Sequence, residues 1–273
     1  MTEAALQQYI QAIRPADRAA MDAARKRQAE LAKPPGSLGA LEDMSIRLAG
    51  ITGQVCPKMD SCRVAVFAAD NGVVDEGVSC APRSVTLQQA INMTRRRTGM
   101  SAMAAAFGDD VAVVDVGIAA DVPDVGILDR KVRRGTGNIA VEDAMTRPEA
   151  LAAMAGAFLG CARERIPAAV DGFISVVAAL CAVTLCPEVR DYLFLSHDSY
   201  EVGYRLAADR LGLEPCLHLG MRLGEGSGCP LLFRVLEGAC GVMAGMATFA
   251  QAAIQDDYLD EIRAGDSFTV DKP

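Results

Sequence analysis

Short apolar runs, each ending at or just before Asp, Ser or Gly, alternate along this chain with longer Ala-rich stretches at helical period. The runs are 63–69 (RVAVFAA), 111–116 (VAVVDV), 168–170 leading into Asp171, 191–196 (DYLFLS) and 215–219. Each is short and apolar on both faces, as a parallel strand covered by helices must be. The stretches between them, 85–106, 148–165, 174–185, 199–211 and 229–254, read as helices. A strand–helix–strand rhythm with right-handed crossovers predicts an α/β fold: an open parallel, Rossmann-like sheet flanked by helices. Residues 1–53 are helical by pattern but broken at Lys33, Pro34, Pro35, Gly36 and Ser37, because two prolines and a glycine cannot continue a helix. The expected organisation is therefore a small helical region at 1–53, completed by part of the C-terminus, an α/β domain at 54–254, and a tail at 255–273.

Open α/β sheets gather ligands at the C-terminal ends of their strands. Asp70 and Asn71 follow the first run, Asp171 and Gly172 the third, Ser196 to Ser199 the fourth, and Gly224 to Gly228 the fifth, so all four polar loops fall on one predicted edge. Glu225 stands out among them. A carboxylate with glycine on both sides has no neighbouring side chain to shield it, and backbone there can come close to a ligand. Two readings stay open on this evidence: a solvated turn residue and a site carboxylate.

Composition removes several function classes. A net charge of -8 and a pI of about 4.9 do not suit a nucleic-acid surface, and the one basic run, Arg95 to Arg97, is too short to reverse that. No apolar segment approaches the roughly 18 residues of a membrane span, and the N-terminus has no signal-peptide pattern, which points to the cytoplasm. The 9 cysteines form no C-x-x-C pair and read as small core residues in a reducing compartment. With only His197 and His218 available, neither at ligand spacing from a cysteine, no metal is expected. No P-loop occurs, and Gly224, Gly226 and Gly228 are spaced G-x-G-x-G rather than as the dinucleotide fingerprint. A G-x-S-x-G elbow is also missing, so a serine hydrolase is a poor fit. No cofactor is called for.

Six blocks, taken together and in order, resemble the nicotinate-nucleotide:dimethylbenzimidazole phosphoribosyltransferase family of cobalamin lower-ligand synthesis. They are "AKPPGSLGALE" (32–42), "ADNGVVDEGVS" (69–79) followed by "VTLQQ" (85–89), "VRRGTGNIAVEDAMTRPEA" (132–150), "DGFIS" (171–175), "CPEVRDYLFLSHDS" (186–199) and "LGMRLGEGSG" (219–228). The resemblance covers nearly the whole chain. It implies transfer of phosphoribose from nicotinate mononucleotide to 5,6-dimethylbenzimidazole, giving α-ribazole 5'-phosphate and nicotinate, and a homodimer.

By the same resemblance Glu225 is the general base. Ser79 and Gln88 would lie near the benzimidazole, with Leu223 in its apolar pocket and Gly224 and Gly226 leaving room for the flat ring. Asp171 and Ser199 match positions near the nucleotide's ribose and phosphate, and Asp70 would stand one layer behind. Alternative readings exist: Gln88 as an exposed helix residue, Ser199 as a helix N-cap, Asp70 as a strand-end turn residue. His197 reads as structural. Two departures are visible. Asn71 stands where the family usually carries His. Near Glu149 to Leu151 several tens of residues are lacking, among them a strand and a glycine-rich loop that embraces the nucleotide phosphate. That gap keeps a second expectation in view, a non-catalytic benzimidazole-binding or inactive relative.

Overall fold

The computed structural model of the chain describes residues 3–259. Three helices open it: α1 (Glu3–Gln11), α2 (Arg18–Glu30) and α3 (Ala40–Thr52). Next come β1 (Arg63–Ala69), α4 (Ser84–Thr94), α5 (Gly99–Phe107), β2 (Asp110–Gly117) and β3 (Leu128–Asp129). The second half holds α6 (Arg147–Met154), α7 (Gly156–Arg163), β4 (Ala168–Val170), α8 (Phe173–Leu185), β5 (Leu193–Leu195), α9 (Val202–Leu211), α10 (Cys229–Gly245) and α11 (Phe249–Ala252).

The α/β class holds, and each described strand pair is parallel. β1 lies beside β2, with Arg63 opposite Asp110 and Phe67 opposite Val114, and β3 adds to the far edge of β2. β4 pairs with β5, Val170 facing Leu195. Among the described residues the strands form two sheets, β1-β2-β3 and β4-β5, with no pairing between β1 and β4. Side chains close the seam instead: Val64 of β1 shares one apolar cluster with Cys229 and Phe233 of α10, and Ala169 of β4 packs against it.

Most of the core belongs to the second sheet. Val170, Phe194 and Leu195 join Val176, Tyr192, Tyr204, Leu232 and Leu236 in the largest cluster, and Leu48 and Ile51 of α3 reach into it. Burial of such side chains is the main favourable term in folding. α3 also packs on α10, Ala32 N–H donates to the Ala247 carbonyl, and Leu31 bridges Thr248, so the helical N-terminal layer leans on C-terminal structure. Of the expected tail, residues 260–273 lie outside the described residues.

Several boundaries differ from the sequence reading, each for a local reason. The stretch 85–106 is two helices, because Arg96 takes a left-handed φ of 58° and Thr98 starts α5 with a reciprocal cap to Ser101. Pro187 opens a 3-10 turn over Pro187–Tyr192, which shortens the fourth strand to Leu193–Leu195. The stretch 215–219 is not a strand: Leu217 makes one parallel bridge to His197 and Gly220 turns the chain away at φ 64°. Around 149–151 the chain is helical, within an α6 capped by Thr146 and Glu149; Ala155 separates it from α7.

Candidate active site

The four polar loops converge. A cleft of about 460 Å³ opens at the C-terminal end of β1, lined among others by Val66, Ala69, Asp70, Asn71, Val74, Ser79, Val85, Gln89, Met93 and Glu225. Its wall is apolar, with a few polar groups at the end, the usual make-up of a pocket for a flat organic ring. One face of α4 supplies Val85, Gln89 and Met93, four residues apart and therefore stacked on one side of the helix.

Glu225 reaches this cleft from the other half of the molecule. Gly224, Glu225 and Gly226 all have left-handed backbone, with φ of 73°, 59° and 82°. Glycine adopts that conformation freely, whereas a glutamate there is uncommon. Two contacts hold it. Gln89 Nε2 donates to Glu225 Oε1 at 3.1 Å, and Asn92 Nδ2 donates to Gln89 Oε1 at 3.3 Å. Behind the loop, Asp171 Oδ2 accepts the Gly226 N–H at 2.9 Å and Oδ1 accepts the Gly228 N–H at 2.8 Å. The loop packs so closely that a Cβ on Gly228 would stand 2.4 Å from both His197 Nδ1 and Ser196 Oγ.

Other expected site residues divide. Ser79 lines the cleft, its hydroxyl bonded to Ala81 in a tight turn. Asp70 is buried at the cleft wall and accepts the Ala119 N–H at 2.8 Å, so it fastens the loop after β2. Gln88 is exposed and outside the lining; Gln89, which the sequence reading passed over, occupies the inward position. Leu223 is 57% exposed, lies outside the lining and rests with Cδ2 near Gly99. His197 is fully buried, its Nδ1 3.1 Å from Ser196 Oγ and 3.6 Å from Asp171 Oδ1.

On the second sheet another crevice, of about 370 Å³, is lined by Asp198, Ser199, Tyr200, His218 and Gly220. Ser199 faces Gly172, the residue after Asp171, and its hydroxyl donates to the Glu201 carboxylate. It is not a helix cap, since α9 begins at Val202 with Glu201 in the capping position.

The arrangement suits proton transfer at a bound ring better than the alternatives. Burial, with Asp171 adding to it, pushes the Cys229 thiol at the start of α10 well above its ordinary range, which makes that thiol a poor nucleophile. Among the described residues no group of three His, Cys, Asp or Glu side chains is placed to hold a metal ion. A carboxylate fixed by an amide at the end of an apolar cleft remains.

Comparison with known proteins gives the family. A family model described as phosphoribosyltransferase matches residues 13–154 and 150–254, two pieces that meet where the chain forms α6. A nicotinate-nucleotide–dimethylbenzimidazole phosphoribosyltransferase of Clostridium perfringens is 36% identical, covering 90% of this chain and 94% of its own. One from Clostridium tetani is 32% identical, covering 94% and 98%. Both alignments run over more positions, 341 and 353, than the 273 residues of this chain. The crystal structure of an enzyme of that name from Thermus thermophilus superposes with a TM-score of 0.84 at 31% identity, covering 88% of this chain and 99% of that one.

Proposed function

Because the chain belongs to the nicotinate-nucleotide:dimethylbenzimidazole phosphoribosyltransferase family, we propose that it moves phosphoribose from nicotinate mononucleotide to 5,6-dimethylbenzimidazole. The products are α-ribazole 5'-phosphate and nicotinate, in assembly of the cobalamin nucleotide loop. The observation that carries the reading is the Glu225 carboxylate, held by Gln89 at the end of the apolar cleft.

A benzimidazole offers one bare ring nitrogen and one N–H. As the bare nitrogen attacks C1 of the ribose, the N–H becomes acidic, and Glu225 within hydrogen-bond reach takes that proton. Gln89 binds Oε1, which leaves Oε2 to face the ring. Nicotinate needs no acid to leave, since on ribose it is a cationic pyridinium. The remaining work is to align two rings and to stabilise a ribose carbon that becomes cationic. Val66, Val74, Val85 and Met93 supply the apolar walls, and Ser79 the polar group beside them.

The nucleotide falls to the second sheet, with its phosphate near Ser199 and the Gly172 backbone. Two sheets that share no strand pairing among the described residues, and a family match in two pieces, support the reading that a strand and its phosphate loop are lacking near 149–151. The chain acts in the cytoplasm and as a homodimer. In favour of a dimer stand exposed apolar side chains on the packed pair α8 and α9: Ile174 at 80%, Val202 at 98% and Leu206 at 75%.

The test mixes the purified chain with nicotinate mononucleotide and dimethylbenzimidazole and follows both products. Nicotinate and α-ribazole 5'-phosphate should appear in equal amounts. Binding of the benzimidazole without either product would replace the transferase by a binding protein.

A further inference from the structure

Asp171 closes β4 with a side chain that is almost wholly buried, and both carboxylate oxygens are occupied by the loop that carries Glu225. We propose that Asp171 is a positioning residue for Glu225, acting through the Gly226 and Gly228 N–H groups, and not a ligand of the nucleotide's ribose. The proposal rests on Glu225 being the base.

Left-handed backbone at a non-glycine residue persists only where the surroundings over-determine it. Here they do so from two sides. Two charge-assisted N–H bonds to a buried carboxylate fix the backbone immediately after Glu225. On the opposite side the Asn92–Gln89 pair fixes its carboxylate. Asp171 is only 5% exposed and His197 Nδ1 stands 3.6 Å from its Oδ1, so little of the carboxylate is left for a ligand.

The clamp also has a place in the architecture. Asp171 belongs to the second sheet and Gln89 to the helix after β1, and those sheets share no strand pairing among the described residues. The Gly224–Gly228 loop is thus a hydrogen-bonded link between them. Through it, the position of β4 sets where the Glu225 carboxylate stands over the acceptor cleft. Misplacement of a catalytic group by about 1 Å can cost on the order of 10²-fold in rate.

The test combines a double-mutant cycle with amide exchange. Asp171→Asn keeps the size of the side chain but turns an N–H donor toward a backbone N–H. Acting through Glu225, it should lower kcat about 10²-fold, leave KM for nicotinate mononucleotide within about threefold, and cost less than about threefold more in an E225Q background. A ribose ligand would instead raise that KM, and its loss would multiply with E225Q; either result overturns the proposal.

Amide exchange across 219–228 needs no turnover. It should speed up in Asp171→Asn and stay as in wild type in E225Q. Unchanged exchange in Asp171→Asn overturns the clamp, whereas a wild-type protein without transfer but with the expected exchange overturns only the base assignment. Should Asp171→Asn fail to fold, Asp171→Glu keeps the carboxylate but moves it by one methylene against the Gly226 and Gly228 N–H groups, and must show the same non-additivity with E225Q. Losses that multiply there would equally sink the proposal.

Discussion

The half proposed to bind the acceptor and the half proposed to bind the nucleotide are built on different terms. The acceptor cleft sits on the smaller core, where β1 and β2 meet α4 and α5, yet it has apolar walls and a carboxylate fixed by named hydrogen bonds. β4 and β5 anchor the largest apolar cluster, yet the crevice at their outer loops is lined mainly by polar and charged side chains, and its serine hydroxyl is engaged by a neighbouring carboxylate. A large core does not make a good site. A core is stable because its side chains fill the space between elements, while a pocket needs that filling to stop short at one sheet edge.

The largest effect that could break this contrast lies at Glu225. Glu225→Gln should lower kcat about 10²- to 10⁴-fold, the usual contribution of a positioned proton acceptor, read from steady-state nicotinate release. Next comes stability. Leu195 is almost fully buried in the larger cluster, and Leu195→Ala should cost about 2–5 kcal/mol and lower the melting midpoint by roughly 5–15 °C in a thermal scan. Phe67→Ala, at a strand position that is 44% exposed, should move the same midpoint by no more than about 2 °C. Equal shifts would mean that the two halves do not differ as described.

Smaller effects sharpen the comparison on the nucleotide side. Ser199→Ala should raise KM for nicotinate mononucleotide about tenfold, as expected for one lost hydrogen bond to a charged group, with KM for dimethylbenzimidazole unchanged. The smallest effect is expected at Gln88, where Gln88→Ala should change either KM by less than about twofold, since the side chain points to solvent. A large loss there would mean that α4 is turned by one residue from the position described.

That last pair shows what the sequence could and could not disclose. A motif places Gln88 and Gln89 in the right stretch, but adjacent residues on a helix are about 100° apart and only one faces the cleft. The four-residue spacing of Val85, Gln89 and Met93 carried the missing information. Strands β1, β2 and β4 were legible because short two-faced apolar runs have few other uses. The stretch 215–219 looked alike but begins with Pro215 and runs straight into a left-handed Gly220, leaving room for one bridge. The resemblance implies a place for Asp171 near the nucleotide, but its hydrogen-bond partners are backbone N–H groups more than fifty residues away, which no local pattern encodes.

Acceptor binding by the catalytically silenced protein tests the account most directly. Calorimetric titration of dimethylbenzimidazole into Glu225→Gln should give a Kd within about threefold of wild type while transfer collapses, because the apolar cleft binds and the carboxylate acts in the transition state. Loss of binding together with transfer, or transfer that survives the substitution, would contradict it.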